Sequence, residues 1–477
     1  MVYEAVIGLE IHVELLTRSK MFCGCSTAFG DKPNTNTCPV CLGFPGTLPV
    51  LNRQAVALAV KAALALQGKV QEKSIFARKN YFYPDLPKAY QISQHDRPLS
   101  RGGFLEINFP EGRRRVHLER IHLEEEAGKL IHAGDSILEA DYSFVDYNRA
   151  GIPLMEIVTL PDLHSGEEAR LFLEELRLLL LYVGVSDCKM EEGSLRCDAN
   201  ISLRPAGSSE LGVKTEVKNM NSFRAVEQAL ESEARRQEEI LSAGGRVIPA
   251  TCHWEGEERR TVPVREKGAS ADYRYFTEPD LPPLMLEASL VEQLRATLPE
   301  LPAQRRERLQ EEYGLEASEA LMISSTPPLA NFFEEAAKHY RDYRHLFHWI
   351  QGDLVYQLRE TGTSLETVSP ELLIELLELL DKGEINRPVA KELLTAVLKK
   401  GASPKKLVAS KNLGRISGRE TLEPLVAQVL DENPEAIESF LQGRKKALAF
   451  LVGKVMALTR GRADPQEVSQ LLRDKIK

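Results

Sequence analysis

Three features of the 477-residue chain predict an α+β protein with an all-helical C-terminal half. Near the N-terminus, VIGLEIHVEL (6–15) alternates strictly, with Ile7, Leu9, Ile11, Val13 and Leu15 at one parity and Gly8, Glu10, His12 and Glu14 at the other. A period of two belongs to a strand with one buried face. The Pro-rich run EPDLPPL closes the mixed region, and from about Glu287 onward the pattern is wholly helical, punctuated by Pro and Gly. A further break at Gly401, Ala402, Ser403 and Pro404 opens a tail, so the expected divisions are 1–290, 291–403 and 404–477.

Within the first strand, Glu10 and His12 lie on one side, roughly 6.7 Å apart, where two polar side chains can converge on a cation. The competing reading is a half-exposed strand with solvated charges. Next come Cys23, Cys25, Cys38 and Cys41, spaced C-x-C, twelve residues, C-x2-C. Two such pairs can surround one ion tetrahedrally, and so loop-rich a segment gains order from a metal, so structural zinc is expected at 23–41.

Asn52 caps a predicted helix that runs to Gln67, with Gly68 as its stop. The prolyl loop ARKNYFYPDLPKAYQISQHDRPL sets Tyr81, Phe82, Tyr83 and Tyr90 beside Arg78, Lys79 and Lys88. Such a mixture suits a nucleobase or sugar-phosphate, or simply packs a long surface loop. Strands are expected over 103–109 and 115–123, the second running into Glu124, Glu125 and Glu126, a metal-binding or merely solvated acidic run. Arg149, Gly151 and Pro153 turn the chain into a strand over 154–160, where Glu156 interrupts apolar residues and needs a metal or basic partner if buried.

Ser165 to Glu168 forms a capping box opening a helix to about Val183. In the following strand Asp198, Asn200 and Ser202 share one face, and then Lys214, Glu216 and Lys218 make a row suited to phosphates or cross-strand ion pairs. Ser222 begins a polar helix to about Ala243, and Arg265, Lys267, Asp272, Arg274 and Tyr275 follow before the Pro-rich exit.

Composition excludes several classes. Net charge is −9, so the chain is not coated in basic surface, yet from residue 401 onward it carries +5 against −14 before it. Lys445, Lys446, Lys454, Arg460 and Arg462 make the tail a candidate phosphate-backbone surface. No apolar run reaches the roughly 18 residues of a membrane span, and the opening has neither secretory nor transit character, so a cytoplasmic location is expected. Seven cysteines, an odd number, do not make a disulfide framework here. Neither a G-x-x-x-x-G-K-[ST] loop nor a Ser-rich amidase signature occurs, so ATP use would rest on carboxylates and ammonia would come from elsewhere.

VIGLEIHVEL, KNYFYPDLPKAYQISQ, VDYNRAGIPLMEIVTLP, MEEGSLRCDANISLRP and DYRYFTEPDLPPL stand in that order ahead of the helical region and basic tail. Over essentially its whole length the chain closely resembles the B-subunit family of glutamine-dependent aspartyl/glutamyl-tRNA amidotransferases. The resemblance implies a mixed-sheet cradle related to glutamine synthetase, then a helical domain and a small helical tail that binds tRNA. It implies ATP-dependent phosphorylation of the side-chain carboxyl of Glu-tRNA(Gln) or Asp-tRNA(Asn), then amidation with ammonia. The implied partners are an amidase (the A subunit), a small C subunit, and the misacylated tRNA, with no membrane. Mg²⁺ would be held by Glu10, His12, Glu124, Glu125, Glu156 and Asp198, with Glu126 and Asn200 as weaker candidates. Glu10, His12, Glu125 and Glu156 would be catalytic. Lys79, Lys214 and Arg274 are the basic residues available for ATP phosphates. A tRNA-binding scaffold without catalysis and a metal-dependent phosphohydrolase are the rival readings.

Overall fold

A computed structural model describes residues 2–109, 112–133, 141–266, 273–416, 418–459 and 461–476. Lys267, Asp272 and Arg460, named above, lie outside them, as do the side chains of Arg265 and Lys445. The alternation at the N-terminus becomes β1 (Tyr3–Glu14), the strand around which a ten-stranded sheet is built. On one side β1 pairs antiparallel with Pro153–Thr159, which pairs with Gly112–Glu125. On the other it pairs with Leu195–Pro205, followed by Thr215–Lys218. In chain order these neighbours are β2 (Gly112–Glu125), β3 (Pro153–Thr159), β4 (Leu195–Pro205) and β5 (Thr215–Lys218). The sheet is mixed, because β5 runs parallel to Ala250–Glu255.

The apolar parity of β1 meets three helices in a single core. Helix α1 (Arg53–Ala65) starts where the Asn52 side chain accepts from the amides of Gln54 and Ala55. Helix α2 (Gly166–Val183) is capped by Ser165 and ends at Gly184 in the left-handed region, and α3 (Phe223–Ser242) is capped by Ser222. Ile7, Leu9, Ile11 and Val13 are at most 1% exposed. Each such side chain contributes roughly 1.5–3 kcal/mol by burial, which holds the strand against slippage that would turn every side chain over.

The first unit runs to Pro302 and the second covers Ala303–Lys477. The first extends beyond the expected boundary at 290 because the helix Ala288–Ala296 lays Leu290, Val291 and Leu294 against the sheet's core. The second unit is helical with two cores, Leu309 to Leu398 and Leu422 to Ile476. Gly401 does end a helix in the left-handed region, and Ser403 caps the next, Pro404–Lys411. Leu407 and Val408 of that short helix still pack on the first of these cores. Among the described residues no helix is long and apolar enough to cross a membrane.

Candidate active site

The face of the sheet opposite the helices is polar, and strand register decides what meets there. His12 of β1 stands directly across from Glu156 of β3, which stands directly across from His122 of β2. His12 Nε2 lies 3.4 Å from Glu156 Oε2 and 3.8 Å from Glu124 Oε1. His122 Nε2 lies at the same two distances, 3.4 Å from Glu156 Oε2 and 3.8 Å from Glu124 Oε2. One ligand atom from each of His12, Glu124 and Glu156 falls within 4.8 Å of the others.

The electrostatics follow from this crowding. Burial alone would favour neutral side chains. At Glu156 it is outweighed by the charge of His122, the hydrogen bond and charge of His12 and the charge of Lys79, which hold the carboxyl well below its ordinary value. Glu124 is also lowered: burial opposes, but the His122 hydrogen bond and then Lys79 and His12 prevail over repulsion by Glu156. For His12 burial pulls down, while Glu156 and Glu124 together lift the imidazole above its usual value. Lys79 behaves likewise, burial being exceeded by Glu124, Glu156 and nearby tyrosines. The acids are therefore ionised, in a pocket already set for positive charge.

A wall of aromatics comes from the prolyl loop and the DYRYF run. Lys79 Nζ sits 5.1 Å from the Tyr273 ring centroid, and Tyr273 meets Tyr81 and Tyr275 edge-on. Tyr275 stacks on His95 with centroids 4.0 Å apart. The strand Tyr90–Ser93 delivers Ser93 Oγ to Glu124 Oε2 at 3.2 Å.

The sequence-based set is not brought together as a whole. Glu10 shares the open face and accepts from Asn200 Nδ2 at 3.0 Å, lining a hollow of about 290 Å³ with the exposed Lys214. Asp198, across from Glu10 on β4, is ion-paired with Lys218. Neither belongs to the three-donor group. Arg274 is exposed, with backbone φ of 47°, and its carbonyl accepts from Asn80 Nδ2.

Glu125 requires correction. It follows Glu124 on a strand, so it points to the opposite face, away from His12 and Glu156. There its carboxylate pairs with Lys88 and accepts from the Ile92 amide at 2.9 Å, in a cavity of about 200 Å³ beside Cys41 and Lys20. Glu126 returns to the parity of Glu124 but is bound by Arg196. His122 and Arg120, the latter 3.7 Å from Glu156, were missed by sequence reading. Applying the period of two to RIHLEE would have found both, since residues 120, 122 and 124 share a face.

The four cysteines do converge, with sulfurs within 4.8 Å of one another. Cys41 Sγ accepts from the Cys38 amide at 3.2 Å. The Cys23 hydrogen bond first, then the Cys38 amide and Lys20, lower the Cys41 thiol well below its ordinary value, against burial.

The polar sheet face, with its clustered acids and imidazoles under an aromatic wall, lies within a stretch of sequence that matches a model of a catalytic-domain family. The GatB/GatE catalytic domain covers residues 5–292 and the GatB domain residues 331–476, so the chain belongs to the GatB/GatE family. Relatives named as the B subunit of aspartyl/glutamyl-tRNA(Asn/Gln) amidotransferase include one from Carboxydothermus hydrogenoformans, 51% identical with 99% of each chain covered. Others are from Moorella thermoacetica, 50% identical, and Caldanaerobacter subterraneus subsp. tengcongensis, 49% identical, each with all of both chains covered.

Proposed function

We propose that this chain, the B component of a tRNA-dependent amidotransferase, is the one that activates and amidates the amino acid esterified to tRNA. The observation that carries the reading is the convergence of His12, Glu124 and Glu156 on one point of the open sheet face. Two ionised carboxylates and an imidazole within 4.8 Å fit a divalent cation, for which Mg²⁺ is the natural candidate in phosphoryl transfer. When bound, the cation supplies neutralisation of phosphate charge. Lys79 adds a fixed positive charge beside it.

The γ-phosphoryl group of ATP passes to a side-chain carboxylate oxygen of Glu-tRNA(Gln) or Asp-tRNA(Asn), leaving ADP and an acyl phosphate. Ammonia attacks the acyl carbon, the C–O bond to phosphate breaks, and a proton leaves the nitrogen as the amide forms. The protein's part is to hold anions together, which positioning and charge alone can accelerate. Tyr273 and Tyr275 offer the aromatic surfaces against which a base or ribose would rest. Lys214, which lines the same hollow as Glu10, would be available to a phosphate there.

The cysteine knuckle fits structural zinc, because four sulfurs converge and no further donor is needed. A glutamine-synthetase-like cradle, a cytoplasmic location, ammonia from an amidase partner and a small third chain complete the reading. The division into cradle, helical domain and tRNA-binding tail belongs to it too, with exposed Lys446 and Lys454 on the tail helix Lys445–Leu458. Arg462 contributes less, since it is tied to the carbonyls of Thr459 and Asn412.

The test is ATP consumption by the chain with its partner proteins and each misacylated tRNA in turn. Cleavage should require the acylated tRNA and vanish in His12→Ala. Phosphate release without acylated tRNA would favour a phosphohydrolase, and amide formation that survives His12→Ala would favour a scaffold.

A further inference from the structure

Lys20 is completely buried, with 0% of its surface exposed. Among the described residues no carboxylate lies within ion-pairing distance, 4.0 Å, of its ammonium. Its Nζ instead donates to the Tyr147 carbonyl at 3.1 Å and to Cys41 Sγ at 3.7 Å. A buried ammonium with only neutral partners is costly, and of its two direct partners the Cys41 sulfur is the one able to carry compensating charge. Glu125 lines the same cavity, but its Oε1 is paired with Lys88 and its carboxylate makes no ion pair with Lys20.

We propose that Lys20 is the built-in counter-charge of the four-cysteine metal centre, joining Cys41 to the turn that launches β3. The proposal rests on the zinc reading of Cys23, Cys25, Cys38 and Cys41. Four thiolates on a divalent ion carry two net negative charges, and an ammonium against one sulfur removes half of that excess. A donor to a ligating sulfur also lowers the energy of its lone pairs, keeps it from protonation and holds it in place, and losing such an outer-shell partner weakens metal binding. The second bond has a structural use. The Tyr147 carbonyl also accepts from the Ala150 amide at 3.1 Å, in the turn just before Gly151, and the Met21 amide binds the Gly151 carbonyl at 2.7 Å. Residues 20 and 21 therefore fasten the knuckle to the start of the strand that bears Glu156. A Cβ at Gly151 would only come into ordinary contact with the Lys20 stem at 3.4 Å, Cys41 at 3.5 Å and Glu125 Oε2 at 3.9 Å, so it is the left-handed backbone (φ +88°) that calls for glycine at this meeting point.

The experiment compares the zinc-loaded full chain with Lys20→Met, which keeps length and loses charge. Zinc release to a chromophoric chelator should be about tenfold faster in the variant. In cobalt-loaded protein the thiolate-to-metal charge-transfer band should move to lower energy, a signature that loss of packing alone would not produce. Unchanged release and an unmoved band overturn the proposal. Should Lys20→Met fail to fold, Cys41→Ala and Cys25→Ala decide. Each removes one sulfur, but only the former strands the ammonium, so its melting temperature should fall further. Equal melting temperatures overturn the assignment. Wild-type chain that neither contains nor takes up zinc sinks the zinc reading together with the counter-charge, whereas zinc held equally well without Lys20 sinks the counter-charge alone.

Discussion

The cysteine knuckle gathers its four sulfurs from one short stretch of chain, while the His12, Glu124 and Glu156 cluster gathers its donors from three strands far apart in sequence. In the knuckle the spacing of ligands along the chain suffices, and the surrounding loop carries little core of its own. Phe29, Phe44, Leu48 and Val50 are all exposed there. The cross-strand cluster depends on register between β1, β2 and β3, held by a large apolar core on the reverse of the sheet. On the zinc reading the knuckle is ordered by what it binds, whereas the cross-strand cluster is ordered by the core behind it before anything binds. Preorganised charge of the second kind is what phosphoryl transfer needs.

The sharpest way to break this comparison is at the sheet. His12→Ala or Glu156→Gln should lower tRNA-dependent ATP cleavage by about 100-fold or more, with tRNA binding nearly intact in a filter-retention assay. Glu125→Gln is the control set by strand parity. It should leave cation affinity at the cluster within about twofold, measured by Mn²⁺ titration, since conservative changes outside the ligand set act weakly. A large loss of affinity would show that Glu125 reaches the cluster after all.

Next in size is the knuckle. Cys38→Ser should lose about one equivalent of zinc per chain by metal analysis, while circular dichroism of the sheet and helices stays close to wild type. Global unfolding would mean that the knuckle organises more than its own loop.

Deletion from Ser403 should weaken tRNA binding and flatten its dependence on salt, because phosphate contacts release counterions. Equal affinity and slope before and after truncation would remove the tail from recognition.

The smallest effect concerns Glu14, at the parity of Glu10 and His12. Burial first and then the charge of Glu126 push its carboxyl up to about 7, against the pull of Arg196 and Arg149. A carboxyl raised on folding binds more protons in the folded state, so its contribution is present below the unfolded value and lost as pH rises through 7. Stability against thermal unfolding should thus fall between pH 4.5 and 7, and Glu14→Gln should flatten that slope, gaining up to about 3 kcal/mol on the alkaline side. Parallel profiles for variant and wild type would refute the shift.

Much was legible in the sequence by itself. Alternation fixed the buried and open faces of β1, side-chain caps at Asn52, Ser165 and Ser222 placed the starts of α1, α2 and α3, and cysteine spacing brought four sulfurs together. These are local properties, set by backbone geometry within a few residues. Only the tertiary structure decided which of the consecutive glutamates 124, 125 and 126 faces His12, that His122 completes the row, and that Asp198 is occupied by Lys218. Those outcomes depend on which strand lies beside which and in what register, and residue type along the chain leaves such long-range pairings open.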